Sequence, residues 1–190
     1  MMTFGAIIID HRTKFIEPHI IRHKQFLPDY EILHYDLRRH IRKANEIHIA
    51  YNNVVASVEF WEELPFDKVL IFQHDSGLLR TGIEEFFEYD FIGAPLKHIP
   101  FPTMNGGFSL RSKEAMIKCI NETQYDYEVH GNEDIYFCDQ LKKLGGKLPT
   151  QEVASKFSVE TIYGLGSLGY HAIEKWHTEE QCNIILNQYE

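Results

Sequence analysis

KVLIFQHDSG, residues 68–77, is the stretch on which the fold turns. Four apolar residues, Val69 to Phe72, run into Gln73, His74 and Asp75 and then a Ser-Gly turn. A short continuous apolar run suits a strand buried on both faces, as in a parallel sheet. A carboxylate buried without a partner is costly, so an acid released into a turn at the strand's end invites a ligand. In α/β sheets ligands bind beyond the carboxyl ends of the strands.

Working outward, FGAIIID (residues 4–10) reads as a second buried strand and YEILHY (30–35) as a third. Between them Ile16, Ile20, Ile21 and Lys24 lie on one helix with Pro18 in its first turn. Residues 53–64 read as one helix stopped by Pro65, and GIEEFFEY (82–89) as a short helix. DFIGAPL (90–96) reads as a strand; GGFSLRS (106–112) leads into the helix KEAMIKCINE (113–122). In NEDIYFCDQLKKLG, Ile135, Cys138, Leu141 and Leu144 make a helical face that ends at a glycine pair able to supply a C-cap. ASKFSVE (154–160) reads as a late strand and residues 178–189 as a helix. Strands alternating with helices predict an α/β class, with a mostly parallel sheet flanked by helices in a single domain over residues 1–190.

The balance of charge narrows the function. The net charge of -9 argues against a nucleic-acid surface, because neutralising phosphates needs a basic patch. The cluster of Arg38, Arg39, Arg42 and Lys43 is expected to be the solvated face of a helix. Three Cys without metal spacing fit a reducing compartment. No apolar run approaches the ~18 residues of a transmembrane helix, so the expectation is a soluble, cytoplasmic chain.

Four segments could carry chemistry, and each also has a plain reading. Asp75 could hold a metal against a diphosphate, or simply form the turn before Ser-Gly. In MNGGFSLRS, Asn105, Gly106 and Gly107 could let the backbone approach a ligand, or make a tight turn. Glu133 and Asp134 could include a general base, or complement a helix dipole. Tyr163 to His171, with three glycines, could be a mobile lid carrying a ligand in His171, or a surface loop. Trp61, Tyr163, Tyr170 and Trp176 are candidate platforms for sugar rings and equally candidate core residues.

In this order, IFQHDSG, FIGAP, NGGFSLRS, NEDIYF, FSVE and GYH resemble a family of GT-A-fold glycosyltransferases long catalogued as a domain of unknown function. More distantly they are similar to the β-1,4-galactosyltransferases. The resemblance spans residues 60–176 and implies a GT-A-like, Rossmann-like fold. By position it makes Asp75 the metal-binding second acid of a D-x-D motif, with Gln73 where the first acid should stand. It makes Gly106 and Gly107 the turn lining the donor sugar, Asp134 the base beside Glu133, and His171 the late metal ligand. Asp10, His11 and Arg12, with Gln73, His74 and Asn105, complete the implied donor site, by fold analogy for the first three.

The function so implied is inverting transfer of a sugar from a UDP-linked donor to a hydroxyl of a glycan or glycolipid acceptor, in polysaccharide biosynthesis, assisted by Mn²⁺ or Mg²⁺. The rivals are a non-catalytic sugar- or nucleotide-binding module of the same fold and a metal-dependent phosphoesterase. The latter would need a denser acid and His cluster than one motif supplies.

Overall fold

A computed structural model describes residues 2–189 apart from 13, 15 and 42. The first apolar run becomes β1 (Phe4–Asp10), buried at every position. Helix α1 (Ile16–Lys24) returns the chain to β2 (Glu31–Asp36), a half-exposed edge strand. Helices α2 (Ile47–Val55) and α3 (Val58–Glu63) carry it back to β3 (Lys68–Phe72), again buried throughout. The 53–64 helix is therefore two. The Ser57 side chain caps the second, and the Trp61 indole donates to the Val55 carbonyl across the break.

After β3 come β4 (Ser76–Leu78), a 3-10 turn at Ile83–Phe86 in place of the expected short helix, β5 (Phe91–Pro95) and β6 (Met104–Ser112). Helices α4 (Lys113–Glu122), α5 (Tyr127–His130) and α6 (Glu133–Leu144) follow, the last closed by left-handed Gly145. The late strand expected at 154–160 is mostly helix α7 (Gln151–Phe157), capped by Thr150, with only β7 (Ser158–Val159) extended. Strand β8 (Gly169–His171) and helix α8 (Glu179–Leu186) end the fold.

The main sheet runs β2-β1-β3-β6-β5 and is flanked by helices, as the α/β reading required. It is mixed, not mostly parallel. β1 pairs parallel with β2 and β3, whereas β6 is antiparallel to both β3 and β5. The physical reason is the connection: residues 96–103 fold straight back from β5 to β6 without a crossover helix, which forces an antiparallel pair. The carboxyl ends of β1, β2, β3 and β5 still share one edge, where β6 begins.

A second sheet, β4-β8-β7, lies across this edge. The expected lid is thus only partly a loop, since its last three residues are β8 and its Ser167 and Leu168 are buried. Arg38 and Arg39 sit on a 3-10 turn at Leu37–His40, not an α-helix, and Arg42 lies outside the described residues. Among the described residues no helix is long and apolar enough to cross a membrane.

Candidate functional site

The end of β1 delivers Asp10, which is 4% exposed. Its Oδ1 accepts from the Arg12 backbone N–H at 2.8 Å, and its Oδ2 lies 3.1 Å from His74 Nδ1. Arg12 and His74 also touch each other, and His11 Nδ1 is 3.4 Å from Asp10 Oδ1. Burial opposes ionisation of Asp10, but the hydrogen bonds from His74 and Arg12 outweigh it and hold the carboxyl well below the usual range. These groups and Gln73 line a cavity of about 360 Å³ floored by Ile9, Leu37 and Ile47. Five of the expected donor-site residues, Asp10, His11, Arg12, Gln73 and His74, are thereby brought to one cavity.

Asp75 follows immediately, and the second sheet positions it. Ser76 pairs with His171, and Ala172 N–H donates to the Asp75 carbonyl at 2.7 Å. Asp75 Oδ1 is buried, has no hydrogen-bond partner among the described residues, and lies 3.5 Å from His171 Nε2. Gln73 Oε1 is 3.2 Å from the same nitrogen. On the far side of the ring Glu160 Oε1 lies 3.4 Å from Nδ1, because β7 runs parallel to β8 and ends level with it. Lys175 Nζ holds the other oxygen of Asp75 at 2.8 Å.

Burial opposes a charge on Asp75, yet His171 and Lys175 hold it ionised far below the usual carboxylate range. Burial would likewise lower His171, but Asp75 and Glu160 raise it to about 9. A His raised from 6.5 to about 9 adds stability that is complete below about pH 6.5 and is lost as pH rises through 9. In the metal-free protein, a proton NMR titration should therefore show one imidazole titrating near pH 9; if every imidazole titrates below 7, the Asp75–His171–Glu160 arrangement is wrong.

Strand β6 separates this centre from a second one. Between the pairs Gly93↔Ser109 and Pro95↔Met104, one residue of β5 stands against four of β6. The bulge re-aims consecutive residues. A side chain at Gly106 would collide with Glu133 and Arg111, and one at Gly107 with His171. The glycine pair is where two clusters approach one backbone from opposite sides. Asn105 to Gly107 are thus a bulged stretch of β6 and not the expected turn, and Asn105 shapes the bulge by accepting from Gly107 N–H at 2.6 Å.

On the Gly106 side, Arg111 grips Glu133 with two hydrogen bonds of 2.6 and 2.9 Å, at 0% and 2% side-chain exposure. The Arg111 guanidinium lies 4.5 Å from the Phe91 ring centroid, and Asn52 Oδ1 accepts from Glu133 N–H. Glu133 is therefore committed to a buried ion pair, which does not suit a proton acceptor. Asp134 is not paired in this way. Gly106 N–H donates to its Oδ2 at 3.1 Å and Ile135 N–H to its Oδ1 at 2.8 Å. Burial, then the neighbouring Glu133 charge, raise its carboxyl to about 7.

Sequence reading missed Arg111, Glu160, Lys175 and Asn52. None of the four carried a local signal, because each reaches its place through a tertiary contact. Of the four aromatic candidates, Trp61 and Tyr170 are core, while Tyr163 and Trp176 are exposed.

Mn²⁺ or Mg²⁺ can be tested against the donor set. Among the described residues no group of three or more His, Cys, Asp or Glu side chains is placed to hold an ion. The orphaned Asp75 Oδ1, with Gln73 Oε1 and, once its proton is displaced, His171 Nε2 close by, nevertheless suits a hard cation that takes its remaining oxygens from a diphosphate. Glu160 on the other ring nitrogen suits the outer partner of a ligating His.

Among solved structures, the chain aligns with a glycosyltransferase involved in the glycosylation of the major capsid of PBCV-1. The TM-score is 0.53 at 9% identity, covering 95% of this chain and 98% of that one. The GT-A-like α/β fold expected from the sequence is thus shared with a solved glycosyltransferase. The apo glycosyltransferase GlyE of Streptococcus pneumoniae TIGR4 aligns at TM-score 0.47 and 14% identity, over 98% of this chain and 63% of that one. A197 from STIV aligns at 0.43 and 15%, over 74% and 78%. No curated protein sequence matches the chain. Residues 35–171 match the model of the family described as a protein of unknown function, DUF5672, and the chain belongs to that family.

Proposed function

We propose that this protein transfers a sugar from a UDP-linked donor to a hydroxyl of a glycan or glycolipid acceptor, with inversion at the anomeric carbon. The observation that carries this reading is the pair of centres on either side of Gly106-Gly107. One is a buried acid poised near neutrality, and the other an ionised acid beside a His and a nucleotide-sized cavity.

The reaction has two electrostatic demands. The acceptor hydroxyl must lose its proton as its oxygen attacks the anomeric carbon. Asp134 takes it, because an acid of about 7 is half-ionised at neutral pH and each of its oxygens keeps a second lone pair beside its backbone hydrogen bond. The bond from that carbon to the diphosphate breaks, and the diphosphate leaves with added negative charge. Arg12, His74 and Lys175 present cationic or donor groups on that side. Asp75 and His171, with the Gln73 amide, are the residues that would hold a divalent ion, which supplies Lewis-acid neutralisation of the leaving group when bound. Asp10 orients Arg12 and His74.

One base acting opposite the leaving group implies a single displacement. The anomeric proton coupling of the first-formed product, read by NMR, should show the configuration opposite to that of the donor. Retention would remove Asp134 from the role of base.

A further inference from the structure

A second cleft opens at the same edge of the main sheet, beyond Pro95 at the carboxyl end of β5, with a volume of about 570 Å³. That lies within the range of about 300–1,000 Å³ typical of ligand pockets. Its two walls are the segment after β5 and the chain around β7 and β8. The backbone ties it to the Asp75–His171 centre twice. Thr161 in its wall follows Glu160, which faces His171, and Trp176 follows Lys175, which holds Asp75. His177 Nε2 hydrogen-bonds the Glu160 carbonyl and joins these two strands of wall. The cleft therefore starts one residue away from each of two groups around the proposed diphosphate position.

Its surface is chemically distinctive. Trp176 is 47% exposed and Tyr163 40%, although both rings line a concavity. Neither ring stands alone. Trp176 lies against His98 with centroids 5.8 Å apart, and Tyr163 meets His177 edge to face at 5.6 Å. Thr161 Oγ1 accepts from Lys97 N–H at 2.7 Å, leaving its own proton to donate. Fixed aromatic faces with scattered hydroxyl and amide groups complement one kind of small molecule in particular. A pyranose presents a face of weakly positive C–H groups to the negative face of an aromatic ring and a rim of hydroxyls to polar side chains.

We infer that this cleft binds the pyranose ring of the acceptor, stacked on Trp176 and Tyr163. That the sugar is the acceptor rests on the proposed transferase function; pyranose binding does not. The chain would then read its acceptor with the segment after β8 and its donor with the ends of β1 and β3.

Saturation-transfer NMR with the methyl glycosides of glucose, galactose, mannose and N-acetylglucosamine tests this. At least one should receive saturation on the protons of one ring face. Trp176→Ala should weaken its binding about tenfold, and Tyr163→Ala should also weaken it, the scale of losing an aromatic contact. Both side chains are exposed, so thermal stability should not move, and UDP affinity, measured in the same variants, should stay unchanged. Absence of saturation for all four glycosides, or equal binding in wild type and both variants, overturns the inference. If UDP binds the wild type and no glycoside does, this cleft is wrong and the donor reading stands. If a glycoside binds through Trp176 and UDP does not bind, the cleft stands and the transferase reading falls.

Discussion

Asp134→Asn should cut sugar transfer by about 10²-fold or more, the range for a lost general base, while making the protein more stable above neutral pH. The two effects come from one cause. In the folded chain the carboxyl holds its proton to about pH 7, because burial and Glu133 disfavour the charge; its ordinary value is 3.8. The folded state thus binds more protons than the unfolded state between these values, so stability falls as pH rises from about 4 through 7. Moving a carboxyl from 3.8 to about 7 corresponds to roughly 4 kcal/mol at most. Asn cannot ionise and keeps an acceptor for the Gly106 N–H. Urea unfolding of both proteins at pH 5 and pH 8.5 should show the variant ahead only at the higher pH. Wild-type transfer should rise with pH through about 7. Equal transfer rates in the two proteins would move the base elsewhere.

Arg111→Met should destabilise the fold by about 3–5 kcal/mol, the effect of removing one partner from a buried ion pair. Glu133 would be left at 2% exposure, with the Asn52 cap on its backbone N–H but no partner for its carboxyl group. For a chain of this size that is a melting-temperature drop on the order of 10 °C. The double variant Arg111→Met/Glu133→Gln should recover more than half of the loss, because the stranded carboxyl is gone. No recovery would mean that Arg111 acts through packing on Phe91 and Phe137 instead of through Glu133.

The difference between these two acids shows how far the sequence could be read. Adjacent Glu133 and Asp134 look equivalent as letters. They diverge because α6 begins with one facing Arg111 and the other facing the Gly106 N–H. Arg111 sits five residues beyond Gly106, and the bulge in β6 brings it back to that glycine, where it donates to the Gly106 carbonyl at 3.1 Å. No local periodicity announces such a contact.

The strands β1 and β3 were legible because full burial on both faces leaves an unbroken apolar run. β7 was misplaced because ASKFSVE has strand-like ends, while the Thr150 cap and α7's packing beside β5 win for its first half. The residues that line the β1–β3 cavity were legible as strand ends. Glu160 and Lys175 were not, since each reaches the site through the small sheet, whose strands are only two and three residues long.

On the proposed function, Asp75, beside the β1–β3 cavity, holds a divalent ion against a nucleotide diphosphate. Calorimetric titration of UDP into the wild type and Asp75→Asn, with and without Mn²⁺, tests it most directly. The wild type should bind one UDP, and Mn²⁺ should tighten binding. A ligand at 100 times its dissociation constant would also stabilise the fold by about 2.7 kcal/mol. Asp75→Asn should lose the Mn²⁺ increment and keep the metal-free heat, because Arg12 and His74 remain in place. No binding of UDP by the wild type at about 1 mM with Mn²⁺, or an undiminished Mn²⁺ increment in Asp75→Asn, would contradict the account.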